Sequence, residues 1–233
     1  MLGTIVNALS IICGGVLGVM LKRGIPESLN NALIKTMGLV VVIVGINGVI
    51  VSMIDIDPES VNATVLLLIS LVAGCVVGEL LRIDDRLNDF GQMIEKRAGK
   101  SGFAKGFVSA SVLFGVGAMS IVGAINDGLS GDSGVLFLKS ALDGIISIIL
   151  AASLGFGVIF SAVTVFVWQG SVSLLAGLIA PFVSNELLNI FSMVGYAIIM
   201  AIGFNFLCDT KIKIANLSPA LIFPVGYYFL FYS

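Results

Sequence analysis

The sequence contains no histidine, and only 11% of its residues are charged. A chain without histidine cannot form an HExxH metalloprotease site, a Ser-His-Asp triad or most zinc sites. The three cysteines, Cys13, Cys75 and Cys208, lie inside apolar runs without CxxC spacing, so we interpret them as small buried hydrophobes. A net charge of −2 provides no basic stripe for nucleic acid. The sequence therefore predicts neither a nucleic-acid partner nor a metal centre.

Long apolar segments dominate the rest of the chain. It is 58% hydrophobic and has a mean hydropathy of +1.13, which predicts an integral membrane protein. A helical span needs roughly 20 mostly apolar residues. The first apolar run carries its charges after the apolar segment, so we expect a retained span and not a cleaved signal peptide. The sequence predicts an all-α polytopic membrane protein of about eight transmembrane helices, at about 2–21, 33–54, 63–81, 106–125, 136–157, 158–181, 188–208 and 215–232.

The division between the fifth and sixth spans depends on length and charge. The run from Gly144 to Val183 carries no charge, but it is too long for one helix across a core of about 30 Å. It is therefore predicted to cross twice, with a turn near Gly155 and Gly157. With eight spans, every Lys and Arg except Lys139 falls on one side. The positive-inside rule makes that side the cytoplasm and places both termini outside.

The loop at about 82–105 is the longest polar segment. Ile83, Leu87, Phe90 and Ile94 recur within it at helical spacing, which is typical of an amphipathic helix. We expect this helix to lie on the cytoplasmic face of the membrane. Docking of a partner protein is the alternative.

An inverted internal repeat is suggested by one alignment. Setting residues 31–48 against 189–206 superposes identical residues: Asn31 on Asn189, Gly45 on Gly203 and Asn47 on Asn205. The same offset sets spans one to three against spans six to eight, in opposite orientation, as in many secondary transporters. The predicted organisation is a single transmembrane domain, with repeat one at about 1–81, the amphipathic loop at 82–105, a central helix pair at 106–157 and repeat two at 158–233.

The stretch from Gly123 to Gly144 places polar residues between long apolar runs. Asn126 is expected to end the fourth span, and Asp127 and Asp132 to lie in a Gly-rich outer connection. That connection is either a solvated turn in which Asp132 or Ser133 caps the next helix, or a re-entrant segment whose oxygens meet a hard cation such as sodium.

Lys139 and Asp143 are four residues apart on one face of the fifth helix. One interpretation is a structural ion pair with a snorkelling lysine. The other is a functional site, because a charge inside a span costs on the order of 2.5–3.5 kcal/mol on insertion scales and usually faces a cavity or a relay.

Glu79 closes the third span, after the small surface formed by Gly74 and Gly78. Either an ion pair with Arg82 at the cytoplasmic edge or a gating role would account for this carboxylate.

Four amides lie inside apolar helices: Asn7, Asn47, Gln169 and Asn205. Hydrogen bonds between helices explain such residues adequately. Because Asn47 and Asn205 are symmetry mates in the repeat alignment, both are also candidate solute contacts.

Four sequence blocks carry a family resemblance: GTIVNALSIICGGVLG at 3–18, GELLRIDDRL at 78–87, GAINDGLSGDSGVLFLKSALDG at 123–144 and SAVTVFVWQGSVSLLAG at 161–177. Together they resemble the bacterial membrane proteins of the domain-of-unknown-function 554 family across essentially the whole chain. The resemblance implies an integral inner-membrane protein, of a family often described as transporters, without a substrate that can be carried over.

The functional prediction is a secondary transporter or channel that moves a small solute or ion across the bacterial inner membrane, without enzymatic activity. No cofactor is expected beyond a coupling cation such as sodium or a proton. The predicted partners are the lipid bilayer and the solute or ion. A homo-oligomer is also compatible with the sequence. The alternatives are a membrane scaffold or assembly protein and, third, an intramembrane enzyme. Glu79 is assigned to the gate, and the polar path is assigned to Asn47, Asn126, Asp127, Asp132, Lys139, Asp143, Gln169 and Asn205.

Overall fold

The computed structural model describes residues 1–22, 26–56, 62–98, 103–115 and 118–231, and all regular structure within these ranges is helical. The predicted all-α class is confirmed. The helices are α1 Leu2–Lys22, α2 Glu27–Ile54, α3 Ala63–Leu81, α4 Ile83–Ala98, α5 Phe103–Gly115, α6 Ala118–Leu129, α7 Gly134–Leu154, α8 Gly157–Leu174, α9 Ala176–Ile179, α10 Asn185–Leu207, α11 Ile214–Leu217 and α12 Ile222–Phe231.

Six helices in the described ranges are long and apolar enough to cross a membrane, namely α1, α2, α3, α7, α8 and α10. The fourth predicted span corresponds to α5 and α6, which are bent by 63° relative to each other and bring the count to seven if they form one broken span. The eighth predicted run is divided into α11, a 3-10 helix over Ser218–Leu221 and α12. Pro219 stands at the start of that 3-10 helix, where its ring removes a backbone donor.

The predicted turn between the fifth and sixth spans is confirmed. Helix α7 ends at Leu154 and α8 begins at Gly157. Gly155 caps α7 with a φ of 91°, a conformation that favours glycine. The sixth span is shorter than predicted, because α8 ends at Leu174 and is followed by α9 and a 3-10 helix over Ala180–Phe182.

Helix α1 shows why these helices belong in lipid. Its large side chains at Ile5, Leu9, Ile12 and Val16 are exposed, while Thr4 and Asn7 are fully buried. A soluble protein has the opposite arrangement, with its apolar stripe facing the core. Exposed apolar and buried small or polar faces are what a bilayer solvent favours.

The chain divides into two compact units. The first unit is Met1–Ile34 with Asp89–Phe182, and the second unit is Lys35–Asn88 with Val183–Ser233. Each unit therefore contains helices from both halves of the predicted repeat.

Close packing of α1 on α7 organises the first unit. A Cβ on Gly14 would collide with Ser147 Oγ and the Gly144 carbonyl, and one on Gly18 would lie 2.9 Å from Ala151 Cβ. Helix α8 packs on the other side of α1, where a Cβ on Gly15 would lie 2.7 Å from Ile159 Cγ1. Small residues thus bring the backbones of α1, α7 and α8 together, as expected for helices packed in lipid.

Close helix contacts occur at two places in the second unit. Helices α2 and α10 meet at glycines, since a Cβ on Gly38 would lie 2.9 Å from Phe206 Cβ and one on Gly203 would lie 2.7 Å from Val42 Cγ2. Helix α3 meets α11 and the following 3-10 helix, because Gly78 contacts Asn216 and Gly74 contacts Ala220. The small surface predicted on α3 is therefore a packing surface.

The predicted amphipathic segment is helix α4, which follows α3 after Arg82 in a left-handed conformation with a φ of 50°. The side chains of Phe90 and Ile94 lie outside the described part of the chain. Placement of α4 on the membrane face stays a prediction.

Candidate functional site

The candidate site begins with two charges on the buried face of α7. Lys139 Nζ lies 2.8 Å from Asp143 Oδ2 and donates to Asp143 Oδ1 at 3.0 Å. The two side chains are only 9% and 6% exposed. Asp143 stands near the middle of α7, so this pair lies well inside the span. The geometry contains the ion pair that one interpretation of the sequence predicted.

A chain of amides extends this pair to three other helices. Asn7 Nδ2, from α1, donates to Asp143 Oδ2 at 3.1 Å and to Gln169 Oε1, from α8, at 3.2 Å. Gln169 Nε2 in turn donates to Ser120 Oγ, near the start of α6, at 3.0 Å. We call Lys139, Asp143, Asn7, Gln169 and Ser120 the buried polar chain. It connects α7, α1, α8 and α6 inside the first unit.

Three further buried oxygens lie on the same helices. Asn7 Oδ1, Thr4 Oγ1 and Ser173 Oγ have no hydrogen-bond partner within the described part of the chain. Thr4 stands about one turn before Asn7 on α1, and Ser173 about one turn after Gln169 on α8. Buried polar atoms are normally paired, so each of these oxygens calls for an explanation.

A second polar cluster surrounds Asp127. Asp127 Oδ1 accepts from Ser133 Oγ at 2.6 Å and from the Gly3 backbone N–H at 3.3 Å, and Oδ2 lies 2.7 Å from the Met1 amino nitrogen. Asp127 is 3% exposed and lies within α6, which continues to Leu129. The prediction that Asp127 lies in the connection was therefore wrong, because the helix runs further than the glycines and serines suggested.

The connection itself is short and holds Asp132. Asp132 Oδ1 accepts from the Gly134 N–H at 2.9 Å, which caps the start of α7. Ser133 forms no cap through its side chain. Asn126 lies one position before Asp127 in α6, and its carbonyl accepts from Ser130 Oγ at 2.9 Å. Asp132 and Asn126 thus have local structural roles, in agreement with the solvated-turn interpretation.

Glu79 has a different partner from the one predicted. Its carboxylate pairs with Lys213 Nζ at 3.2 Å, whereas Arg82 pairs with Asp85 at 3.0 Å. Arg82 turns away because its left-handed backbone begins α4 instead of continuing α3. Lys213 also lies 3.8 Å from Asp85. The predicted Glu79–Arg82 pair is therefore replaced by a partly exposed cluster that joins α3 and α4 to the connection before α11.

Interactions within that cluster change the pKa values of two groups that lie outside the membrane spans. The hydrogen bond to Glu79 and the charge of Asp85 raise the pKa of Lys213 above its ordinary value. The hydrogen bond from Arg82 and the charge of Lys213 lower the pKa of Asp85. Both shifts favour the charged forms of these groups.

The two symmetry-related asparagines have unlike surroundings. Asn205 Oδ1 accepts from Thr210 Oγ1 at 2.7 Å and from the Ile212 N–H at 3.0 Å, so it organises the connection after α10. Asn47 is exposed on α2. Both belong to the second unit, whereas the buried polar chain belongs to the first.

Two grooves on the units are apolar. A groove of about 380 Å³ lies between α1 and α8, lined by residues such as Ile5, Leu9 and Phe166. Another of about 390 Å³ lies between α3 and α12, lined by residues such as Val65, Ile69 and Phe223. Neither is lined by the buried polar chain. Within the described residues, no three His, Cys, Asp or Glu side chains form a group that could hold a metal ion.

Sequence reasoning assigned Lys139, Asp143 and Gln169 to the path but left out Asn7 and Ser120. The signal for Asn7 was present in the sequence, because Thr4, Asn7, Ile11, Gly14 and Gly18 recur at spacings of three or four residues and mark the buried face of α1. Nothing comparable marks Ser120.

A chain whose described part contains six or seven apolar helices of spanning length, with a buried charged pair inside one of them, is a polytopic membrane protein. It belongs to the family described as protein of unknown function (DUF554), whose model matches residues 2–229. The family resemblance predicted from the sequence is confirmed.

Two relatives cover almost the whole chain. One is the uncharacterized membrane protein YdfK of Bacillus subtilis (strain 168), which is 34% identical over 224 residues, or 96% of this chain and 94% of the relative. The other is the uncharacterized protein YqgA of Escherichia coli (strain K12), which is 28% identical over 229 residues, or 95% of this chain and 93% of the relative. No solved structure matches.

Proposed function

We propose that this protein is a secondary transporter or channel that moves a small solute or ion across the bacterial inner membrane. The observation that carries the proposal is the buried pair of Lys139 and Asp143 inside α7, joined by Asn7 to Gln169 and Ser120. Each charge inside a bilayer is costly, and such charges usually mark an ion or substrate pathway. Packing alone does not require them, because well-packed apolar side chains often stabilise a protein at least as well as a buried ion pair.

The bent pair of α5 and α6 supports transport. Ser120, at the end of the buried polar chain, lies in the first turn of α6, on the side of the bend. Discontinuous helices near the membrane midplane commonly form substrate and ion sites in transporters, because their ends present unpaired backbone groups.

The packing of α2 on α10 supports the inverted repeat. The contacts pair Gly38 with Phe206, Gly45 with Met200, Val42 with Gly203 and Gly48 with Tyr196. The alignment offset is 158 residues (189 − 31), and it maps the α2 positions 38, 42, 45 and 48 onto the α10 positions 196, 200, 203 and 206. Two copies of one helix crossing around a twofold axis would contact each other at the same set of positions.

Contacts within each unit support the proposed topology. In the first unit, the Met1 amine meets Asp127 near the connection before α7, and both are proposed to lie outside. In the second unit, Lys213 meets Glu79 and Asp85, and all three are proposed to lie in the cytoplasm. Arg23 and Lys100, which also entered the charge count, lie outside the described residues.

The separate partners of the two buried aspartates favour transport over catalysis. Asp127 is bound to Ser133, and Asp143 is bound to Lys139 and Asn7. A pair of carboxylates acting together as acid and base would need to share a proton or a reacting group.

A transport measurement with Asp143→Asn tests the proposal. Proteoliposomes containing the wild-type protein would be challenged with sodium and potassium salts, proton gradients, amino acids and organic acids, while charge movement is recorded on a solid-supported membrane. We expect a current from the wild type, the same current from Asp132→Asn, and none from Asp143→Asn. An undiminished current from Asp143→Asn would refute the assignment.

A scaffold or assembly role is the second candidate. It is favoured by the close α1–α7 packing and by the apolar lining of both grooves. A scaffold without a path would give no current with any of these solutes, and Asp143→Asn would change only stability.

A further inference from the structure

We propose that Lys139 is a tethered occupant of a small-cation site at Asp143, and that a monovalent cation enters the site by replacing its ammonium group. The proposal rests on the proposed transport function and names the coupling ion class of the same site. Sodium and the proton share the chemistry required, and the experiment below separates them.

The first argument is the unpartnered oxygen of Asn7. Asn7 is fully buried, and its amide nitrogen is committed as a donor to Asp143 Oδ2 and Gln169 Oε1. A flipped amide would point its oxygen at the carboxylate, so these two acceptors fix the orientation. The amide that contacts Asp143 therefore keeps an acceptor, Asn7 Oδ1, that has no donor in the described part of the chain.

An acceptor of this kind selects the sign of the ligand's charge. Asn7 Oδ1 and the Asp143 carboxylate can only accept hydrogen bonds or bind a cation, and an anion would be repelled by both. The hydroxyl of Thr4, about one turn before Asn7 on α1, is also fully buried and unpartnered in the described residues. Carboxylate, amide and hydroxyl oxygens are hard ligands that suit sodium and related ions.

The charge of the site selects a monovalent cation. Asp143 supplies one negative charge, and Lys139 neutralises it with one positive charge. A divalent metal would need more carboxylates, and no such group exists among the described residues. One monovalent cation in place of the ammonium leaves the carboxylate neutralised.

The packing limits the size of the cation. Helices α1 and α7 touch next to this site, where a Cβ on Gly144 would collide with Ser10 Oγ. An ion comparable to an ammonium head group fits such an interface, whereas a larger organic cation would require the two backbones to separate.

The groups that face Asp143 leave Lys139 as its direct cationic competitor. Helix α1 contributes Asn7, which leads to Gln169 on α8 and Ser120 on α6, and all three are uncharged. Asp127 on α6 is bound to Ser133 and the Met1 amine, and Lys105 on α5 is exposed. A tethered ligand competes at an effective concentration in the millimolar range or above. Removing the ammonium should therefore strengthen cation binding.

The test compares Lys139→Met, Asp143→Asn and the wild type as purified full-length proteins. Binding of radioactive sodium is measured at constant ionic strength with N-methyl-glucamine chloride, and thermal melting is recorded against sodium and, separately, against pH without sodium. We expect Lys139→Met to bind the cation at least about 10-fold more tightly than the wild type. Asp143→Asn and the double variant should show no saturable response. Lys213→Met, which removes a lysine from the exposed cluster, should match the wild type.

The sodium arm and the pH arm identify which cation binds. Saturable sodium binding that depends on Asp143 assigns sodium, and a melting response to pH alone that depends on Asp143 assigns the proton. Equal affinity in Lys139→Met and the wild type, or a response that survives Asp143→Asn, would overturn the proposal. If Lys139→Met does not fold, the isotherms of the wild type and Asp143→Asn decide, because identical isotherms contradict a site at Asp143.

The outcomes separate this proposal from the proposed function. If Lys139→Met binds the cation no more tightly than the wild type, but the current depends on Asp143, the replacement of the ammonium group by a cation is rejected and transport stands. Tighter cation binding by Lys139→Met without a current from any solute would reject transport while the cation site stands.

Discussion

Asn7 Nδ2 lies 3.1 Å from Asp143 Oδ2, across 136 residues of sequence. This contact joins the first helix of the chain to the helix that carries the buried ion pair. The same nitrogen reaches Gln169 on α8, so one amide holds three helices of the first unit at the level of the charges.

Replacing Asn7 should therefore destabilise the protein more than an asparagine replacement elsewhere. Asn7→Ala removes one donor from Asp143 Oδ2, which keeps Lys139, and leaves Gln169 Oε1 without its Asn7 donor. We expect a loss of about 1–2 kcal/mol in the free energy of unfolding. Asn47→Ala removes an exposed amide from a helix of similar hydropathy and should stay within about 0.5 kcal/mol. Reversible unfolding in mixed micelles would measure both. Equal losses would contradict the assigned role of Asn7.

Glycine substitutions should distinguish packing glycines from open ones. Gly14→Ala places a methyl group against Ser147 and the Gly144 carbonyl, and overpacking of this kind costs about 1–3 kcal/mol. Gly226→Ala in α12 meets nothing within 4 Å and should be neutral or stabilising by up to about 1 kcal/mol, because alanine is the better helix former. Melting temperatures of the two variants should move in opposite directions or, at least, only that of Gly14→Ala should fall.

The proposed topology predicts which connections face the outside. In a background where Cys13, Cys75 and Cys208 are replaced by alanine, Ser130→Cys should react with a membrane-impermeant maleimide in intact cells. Lys211→Cys, which lies in the connection after α10, should react only after permeabilisation. The reverse pattern would invert the orientation, and labelling of both sites in intact cells would contradict the number of crossings.

The pH dependence of Lys213 variants tests the exposed cluster. The raised pKa of Lys213 means that its stabilising contribution is complete below the ordinary lysine value of about 10.4 and is lost as pH rises through the folded value. The lowered pKa of Asp85 means that its contribution is complete above about 3.9 and is lost as pH falls through the folded value.

Between about pH 5 and pH 9 the melting temperature of Lys213→Met should therefore lie below that of the wild type by a constant amount. The difference should shrink above about pH 10.4. Lys211→Met is the matched control for the loss of a lysine from the same connection. A difference that persisted unchanged at high pH would show that Lys213 acts through packing and not through its charge.

The helices were predicted well where hydropathy and length determine where a helix begins and ends. Helix α3 has the predicted bounds, and the turn at Gly155 follows from the length that one helix can span. The prediction was wrong at residues whose local structure depends on tertiary contacts. Arg82 adopts a left-handed cap instead of pairing with Glu79, and Asp127 continues α6 because Ser133 and Gly3 supply its hydrogen bonds.

The site was predicted in part for the same reason. Lys139 and Asp143 are conspicuous as charges within an apolar run, and their spacing places them on one helix face. Their neighbours Asn7 and Gln169 come from α1 and α8, and no local sequence pattern predicts which helices pack together. The repeat alignment pointed to Asn47 and Asn205, but identical residues at related positions need not share a role once one lies beside a connection and the other on an exposed helix face.

The pairing of α1 with α7 has a consequence for biogenesis. At synthesis rates of roughly 5–20 residues per second, the 136 residues between Asn7 and Asp143 take roughly 7–27 seconds to emerge. During that interval α1 has been made while its main partner has not, and its amide faces lipid, water or the insertion machinery. The first helix must therefore be apolar enough to wait in the bilayer by itself, and its glycine face is available to a chaperone or to premature pairing until α7 arrives.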